Sequence, residues 1–337
     1  MSAKNLFRAN ERREILADRR PRISPRDLQF EHYRQWLHVA TSRNGRPFTP
    51  GTIKGYLRAA RLLARWLDEQ EISGDLTAAC DPEVLNRFLR WYLESHGVNG
   101  TAFVQRSLRT LFRWLEREEG VTSPFRSARL DTYSPRTHKP KVLAREFIAE
   151  LLDSCKGTDF TSVRDEAIIR VMLDGLRVGE ALAMRVQDVP TLTDPVLRVA
   201  PHKGDARFAD DSGRRVRLAD ETVRALQRWL RVRLTHPLAD SALRDVLWLG
   251  KGRAEPWGYD GVRLMLQRRC RKLGYPEAAT THMFRHTFSH DFLASGGSPL
   301  DLAEHNGWSS LAMAQRYGKD MAEDRAIAAR ERLGRLY

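Results

Sequence analysis

Near its middle the chain runs through a polar, proline-bearing stretch between Ser127 and Leu143, where Pro135, Lys139, Pro140 and Lys141 interrupt the hydrophobic periodicity. A single core does not continue across such an interruption, so the sequence predicts two separately packed domains, and 337 residues are enough to give each a sizeable core. The linker is placed at 131–142. Ahead of it, residues 23–130 carry helical periodicity throughout, with helices expected near 25–42, 50–70, 82–96 and 100–119; a capping residue followed by proline marks two starts, at Thr49-Pro50 and Asp81-Pro82. Behind it, residues 143–337 predict helices near 144–155, 162–174, 177–187, 220–234, 260–273, 282–294, 299–305, 311–317 and 322–335. Short β-like runs, Val196 to Val199, Ala206 to Phe208 and Arg215 to Leu218, fall between them. The expected fold class is mainly α with a small antiparallel sheet, an α+β chain. Residues 1–22, with Arg12, Arg13, Arg19 and Arg20 and almost no apolar periodicity, are expected to form a flexible basic arm.

Charge narrows the function. Lys and Arg number 57 against 43 Asp and Glu, a formal net charge of +14, which points to a polyanionic partner because phosphate binding releases condensed counterions. The first domain shows where such a partner would lie. On its second helix Lys54, Arg58, Arg61 and Arg65 form one row beside the apolar side of Ile53, Leu57, Ala60, Ala64 and Leu67. The fourth helix repeats the scheme, with Arg106, Arg109, Arg113 and Arg117 beside Val104, Leu108, Leu111 and Leu115. Two basic rows in one small helical domain predict contacts to the backbone of double-stranded DNA. No apolar run approaches the roughly 18 residues of a membrane span, and Met1 to Arg20 lacks a hydrophobic signal segment, so a cytoplasmic protein is expected. Cys80, Cys155 and Cys270 form no CxxC pair, which argues against a disulfide framework or thiolate zinc site. No P-loop glycine run or paired-carboxylate motif is present, and no cofactor or metal is expected.

Candidate chemistry lies in the second domain. In GLRVGEALAM, Arg177 follows a glycine turn and Glu180 lies one helical turn later. In THMFRHTFSH, His282 and Arg285 are three apart and share a helical face. A guanidinium that grips two phosphate oxygens beside an imidazole that moves a proton suits phosphate chemistry. His282, His286 and His290 also recur every four residues; a metal there would face Arg285 without any acidic or cysteine ligand, so His286 and His290 are read as helix-face or core histidines. Lys203 sits where one strand turns toward the next, Trp308 lies in NGWSS, and Tyr317 follows nine residues after Trp308.

In order, RDEAIIRVMLDGLRVGEALAMRVQDV (164–189), the strand-turn lysine, HMFRH (282–286), NGWSS (306–310) and the final tyrosine resemble the successive boxes of the tyrosine recombinase, or phage integrase, family. The resemblance covers 143–337 and extends more loosely to the helical part, which is similar to the family's core-binding domain. It implies a site-specific recombinase that cleaves and rejoins DNA through a 3′-phosphotyrosine intermediate, without cofactor. By that resemblance Arg177 and Arg285 bind the scissile phosphate, Tyr317 is the nucleophile, Lys203 protonates the leaving 5′ oxygen, His282 assists proton transfer and Glu180 steadies the site. Trp308 stands where many members have a second histidine; its indole N–H still donates a hydrogen bond but moves no proton. Asn306-Gly307 replaces the more usual Leu-Gly.

The resemblance further implies assembly on DNA, as a tetramer across two recombination sites through the C-terminal helix, with room for a DNA-bending accessory protein; the alternative for that helix is packing back on its own domain. The competing expectations are a type IB topoisomerase and a DNA-binding regulator or architectural protein that kept the fold and lost catalysis. Arg177, Lys203, His282, Arg285 and Tyr317 together argue against the regulator, because binding alone needs no nucleophile.

Overall fold

The computed structural model describes residues 25–42, 45–135, 140–200, 213–251, 255–275, 277–308 and 310–318, with 326, 327, 330, 331 and 334 beyond them. The expected arm at 1–22, the run Ala206 to Phe208, Lys203 and most of the expected helix 322–335 lie outside the described residues. Contacts divide the chain into two compact units, Met1–Thr137 and His138–Tyr337. Among the described residues no helix is long and apolar enough to cross a membrane.

The first unit is built from α1 (Pro25–Val39), α2 (Pro50–Glu69) and α3 (Pro82–Glu118). Thr49 and Asp81 cap α2 and α3, accepting from the backbone N–H groups of Thr52 at 3.2 Å and Glu83 at 2.9 Å, and each is followed by a proline whose missing N–H costs nothing in a first turn. At Gly97 the backbone (φ 65°, ψ 176°) leaves the helical region, so α3 is two helical stretches that meet at a bend. The predicted apolar sides, Ile53, Leu57, Ala60, Ala64 and Leu67 on α2 and Val104, Leu108, Leu111 and Leu115 on α3, are all buried. Two buried amides then hold the chain leaving this unit. Asn86 donates to the carbonyl of Arg129 (2.9 Å) and accepts from the N–H of Asp131 (2.8 Å), while Gln105 accepts from the N–H of Tyr133 (3.0 Å). Residues 131–133 of the expected linker are therefore bonded to α3, whereas Lys141 pairs with Glu277 and Leu143 donates to Thr287 in the second unit.

The second unit comprises α4 (Arg145–Asp153), α5 (Phe160–Leu173), α6 (Val178–Ala183), β1 (Val196–Val199), β2 (Arg214–Arg217), α7 (Asp220–Arg233), α8 (Tyr259–Lys272), α9 (Thr281–Ala294), α10 (Pro299–Asn306) and α11 (Leu311–Gly318). The strands pair antiparallel, Val196 opposite Arg217 and Val199 opposite Arg214. The chain is mainly α with a small antiparallel sheet. α5 runs through the core, with Ala167, Ile168, Ile169, Val171 and Met172 fully buried. The helix expected over 177–187 ends earlier, at Ala183: Trp248 donates its indole N–H to the Ala181 carbonyl at 2.6 Å, and Arg185 joins Val246 in an isolated β-bridge. Long-range bonds there replace the helical ones. A smaller cluster of Leu293, Leu302, Ala303, Trp308 and Ala314, with Phe288, Phe292 and Tyr317 against it, locks α9, α10 and α11 together.

Candidate active site

Two glycine turns aim the site. Gly175, at φ 86°, ends α5; a β-carbon there would approach Phe288 to 2.6 Å, so only glycine lets the chain turn tightly enough to start α6 at Arg177. Gly307, at φ 58°, ends α10 in the left-handed conformation, and the following N–H of Trp308 bonds back to Ala303 at 2.9 Å. That closure carries Trp308 inward, where it is 6% exposed.

Glu180 is the centre of the charged cluster. Its Oε1 accepts from Arg177 Nη1 at 2.7 Å and its Oε2 from the Arg177 backbone N–H at 2.8 Å. Arg214 grips both oxygens, Nη1 on Oε1 at 3.0 Å and Nη2 on Oε2 at 2.7 Å, and Arg285 Nη1 stands 3.8 Å from Oε2. Burial alone would raise the pKa of this carboxyl; the Arg214 bonds outweigh burial and hold it down at about 2. Three guanidiniums against one carboxylate leave a surplus of positive charge facing the cleft, the balance an anionic phosphate would complete.

Arg285 is fixed by two carbonyls, donating to Gly175 at 2.6 Å and to Asn306. Burial, with the like charge of Arg177, pushes its guanidinium down to about 9, which still leaves it charged at neutral pH. The Arg177 side chain keeps 26% exposure and so remains open to a ligand. Partial burial, helped by Arg285 and Arg177, pushes the His282 imidazole below its ordinary range.

The aromatic side of the cleft faces these charges. Tyr317 stacks on Trp308 with ring centroids 5.4 Å apart and planes 5° from parallel, and the Arg285 guanidinium carbon lies 5.5 Å from the Trp308 ring centroid. The Tyr317 hydroxyl is hydrogen-bonded to His286 Nδ1. Arg177, His282, Arg285, His286, Gly307, Trp308, Met313 and Tyr317 line one cleft of about 310 Å³. Of the residues singled out from sequence for chemistry, Arg177, Glu180, His282, Arg285, Trp308 and Tyr317 are thus brought together, while Lys203 lies outside the described residues.

Two contributors escaped the sequence reading. His286 was expected on a helix face or in the core; it lies on the His282 face of α9, as the four-residue spacing dictates, with ring centroids 6.3 Å apart, and there it also touches the phenol. Arg214 gave one signal, the alternation of GRRVRL, which places it on the inward face with Val216. His290 contacts the Asp291 carboxylate, and no group of three or more metal-ligating side chains occurs among the described residues.

In the first unit, Lys54, Arg58, Arg61 and Arg65 on α2 and Arg106, Arg109 and Arg113 on α3 are all exposed. Gly55, beside Lys54, faces Phe103, whose Cζ would lie 3.7 Å from a β-carbon, so the helices bearing the rows are packed neighbours. Arg109 lies over Phe125 at 4.9 Å and Arg113 over Trp36 at 6.0 Å, contacts that steady the side chains and leave them exposed.

The phage integrase family model matches residues 141–323, a span that contains every residue of the cleft. The chain belongs to the phage integrase family. Within this family it is 28% identical over 293 residues to a tyrosine recombinase XerC of Methylobacterium nodulans, covering 84% of this chain and 86% of that protein. It is 26% identical over 277 residues to the XerC of Leptospira interrogans, covering 80% and 83%. Among solved structures, the Tn1549 transposon integrase in complex with transposon right end DNA matches with a TM-score of 0.66 at 19% identity, over 91% of this chain and 99% of that one. The XerH recombinase bound to difH substrate, in a pre-cleavage complex, matches with a TM-score of 0.63 at 18% identity, over 89% and 94%. These structures carry the integrase fold across both units of the chain.

Proposed function

We propose that this site-specific recombinase cuts double-stranded DNA by attack of the Tyr317 hydroxyl on a scissile phosphate held between Arg177 and Arg285. One observation carries the reading: phenol, both guanidiniums and His282 line a single cleft. A phenol of ordinary pKa near 10 is a weak nucleophile at neutral pH, so the reaction needs proton removal and stabilisation of the charge that builds on phosphorus. Arg177 and Arg285 supply the second, and the Glu180–Arg214 pair fixes their geometry. The 3′-phosphotyrosine bond replaces a phosphodiester of similar energy, so the strand is rejoined by the reverse attack of a 5′ hydroxyl. His282, beside the arginines, serves proton transfer on the phosphate side. Lys203 is assigned the leaving 5′ oxygen on its place in the sequence between β1 and β2 and the family resemblance. Trp308 packs the phenol and offers its indole N–H to a phosphate oxygen.

The helical unit belongs to the same reading as a core-binding domain, with its exposed basic rows on the duplex backbone, and the working assembly is a tetramer across two sites. Sedimentation of the protein with its site DNA reads that assembly; complexes that never exceed two protomers on one site, with no four-protomer species joining two sites, exclude it.

Tyr317→Phe keeps every apolar contact and removes the attacking oxygen. On a nicked duplex carrying the recombination site, the native protein is expected to accumulate a covalent protein–DNA adduct and the variant none, with DNA affinity unchanged. Adduct formation by Tyr317→Phe removes Tyr317 from this role, and absence of adduct from the native protein favours the regulator.

A further inference from the structure

We propose that His286 is the general base of strand cleavage, taking the Tyr317 hydroxyl proton at Nδ1 and returning it during rejoining; this rests on the reading of Tyr317 as the nucleophile. Its Nδ1 is hydrogen-bonded to that hydroxyl, with ring centroids 5.4 Å apart, so no side chain has to move before the proton does. Two histidines of α9, His282 and His286, divide the cleft. His282 stands one turn earlier beside the arginines, where partial burial, with the charges of Arg285 and Arg177, pushes its imidazole down. His286 stands at the phenol, on the same face. Trp308, stacked on the phenol, offers a ring face and no lone pair. The neutral tautomer with its proton on Nε2 leaves Nδ1 as the acceptor.

The step balances without any further reactant. As the bond from Tyr317 Oη to phosphorus forms, the phenolic proton passes to His286 Nδ1, the bond from phosphorus to the 5′ oxygen breaks, and that oxygen takes a proton from the acid on the phosphate side. In rejoining, the 5′ hydroxyl attacks, the 5′ proton returns to that acid, and the departing Tyr317 oxygen recovers its proton from His286. The imidazolium formed midway shares the cleft with Arg177 and Arg285, like charges that favour giving the proton back.

Single-turnover cleavage of a nicked site tests the proposal with His286→Ala and His286→Asn, DNA affinity being followed alongside. Asparagine restores a polar partner for the phenol and cannot carry a proton. Both variants are expected to cleave roughly 10²-fold more slowly or worse, the alanine variant partly rescued by added imidazole. A substrate with sulfur in place of the bridging 5′ oxygen needs no proton on its leaving group, so the defect is expected to persist on it. Cleavage at the native rate by either variant, or recovery of His286→Ala on the sulfur substrate, overturns the assignment to the base. Adduct formation by Tyr317→Phe strikes the nucleophile reading itself, which separates the two failures.

Discussion

At the scale of single residues, the cleft depends on how Glu180 is paired. Arg214 is nearly enclosed, at 5% side-chain exposure, and holds both carboxylate oxygens while donating from Nε to the His305 carbonyl at 2.8 Å. Arg214→Ala leaves a buried carboxylate short of its principal partner, and the expected loss is about 3–5 kcal/mol in urea unfolding of the catalytic unit. The pH dependence has a defined sign. Glu180 is depressed on folding, so its stabilisation is present above the ordinary carboxylate range and is lost as pH falls toward about 2. In Arg214→Ala that loss begins at higher pH, and an acid-unfolding midpoint that fails to rise contradicts the pairing. Arg177, Glu180, His282, Arg285, Trp308 and Tyr317 were legible because family boxes flank them. Arg214 and His286 were not, because each stands among like residues, RRVR and HMFRHTFSH, where only tertiary contacts separate a working side chain from a solvated one.

At the scale of elements, turns do more than helices to place the chemistry. Gly175 supplies a positive φ, clearance for Phe288 and the carbonyl that holds Arg285. Gly175→Ala is expected to cost more than about 1 kcal/mol in thermal unfolding, since the left-handed backbone alone is worth that much, and to slow cleavage by shifting Arg285. A variant that melts and cleaves like the native protein removes the turn from the account. Helix starts were readable from caps and prolines at Thr49-Pro50 and Asp81-Pro82, and the bend at Gly97 from the separate periodicities around it. The early end of α6 was not readable, because Trp248 and Val246, some sixty residues away, take its bonds. Asn86 and Gln105 look like ordinary polar helix positions, yet their buried amides bind the backbone of 129–133.

For the whole molecule, a net charge of +14 and two exposed basic rows predict binding that weakens steeply with salt. Replacing Lys54, Arg58, Arg106 and Arg109 by alanine is expected to flatten the dependence of log affinity on log salt by about 0.9 for each phosphate left without its cation, and an unchanged slope makes the rows mere solvated faces. The two-unit division and the mixed fold follow from patterning; the gathering of the cleft does not, since α9, α10 and α11 meet through burial of Phe288, Leu302 and Trp308, and Glu180 of α6 reaches Arg285 of α9 across more than a hundred residues of sequence. The central claim is that this cleft joins a phenol to a phosphate. Trapping the adduct on a nicked site, digesting protein and DNA, and sequencing the modified peptide by mass spectrometry tests it directly. The account predicts a nucleotide esterified through its 3′ phosphate to Tyr317; a nucleotide on any other residue, or one linked through a 5′ phosphate, contradicts it.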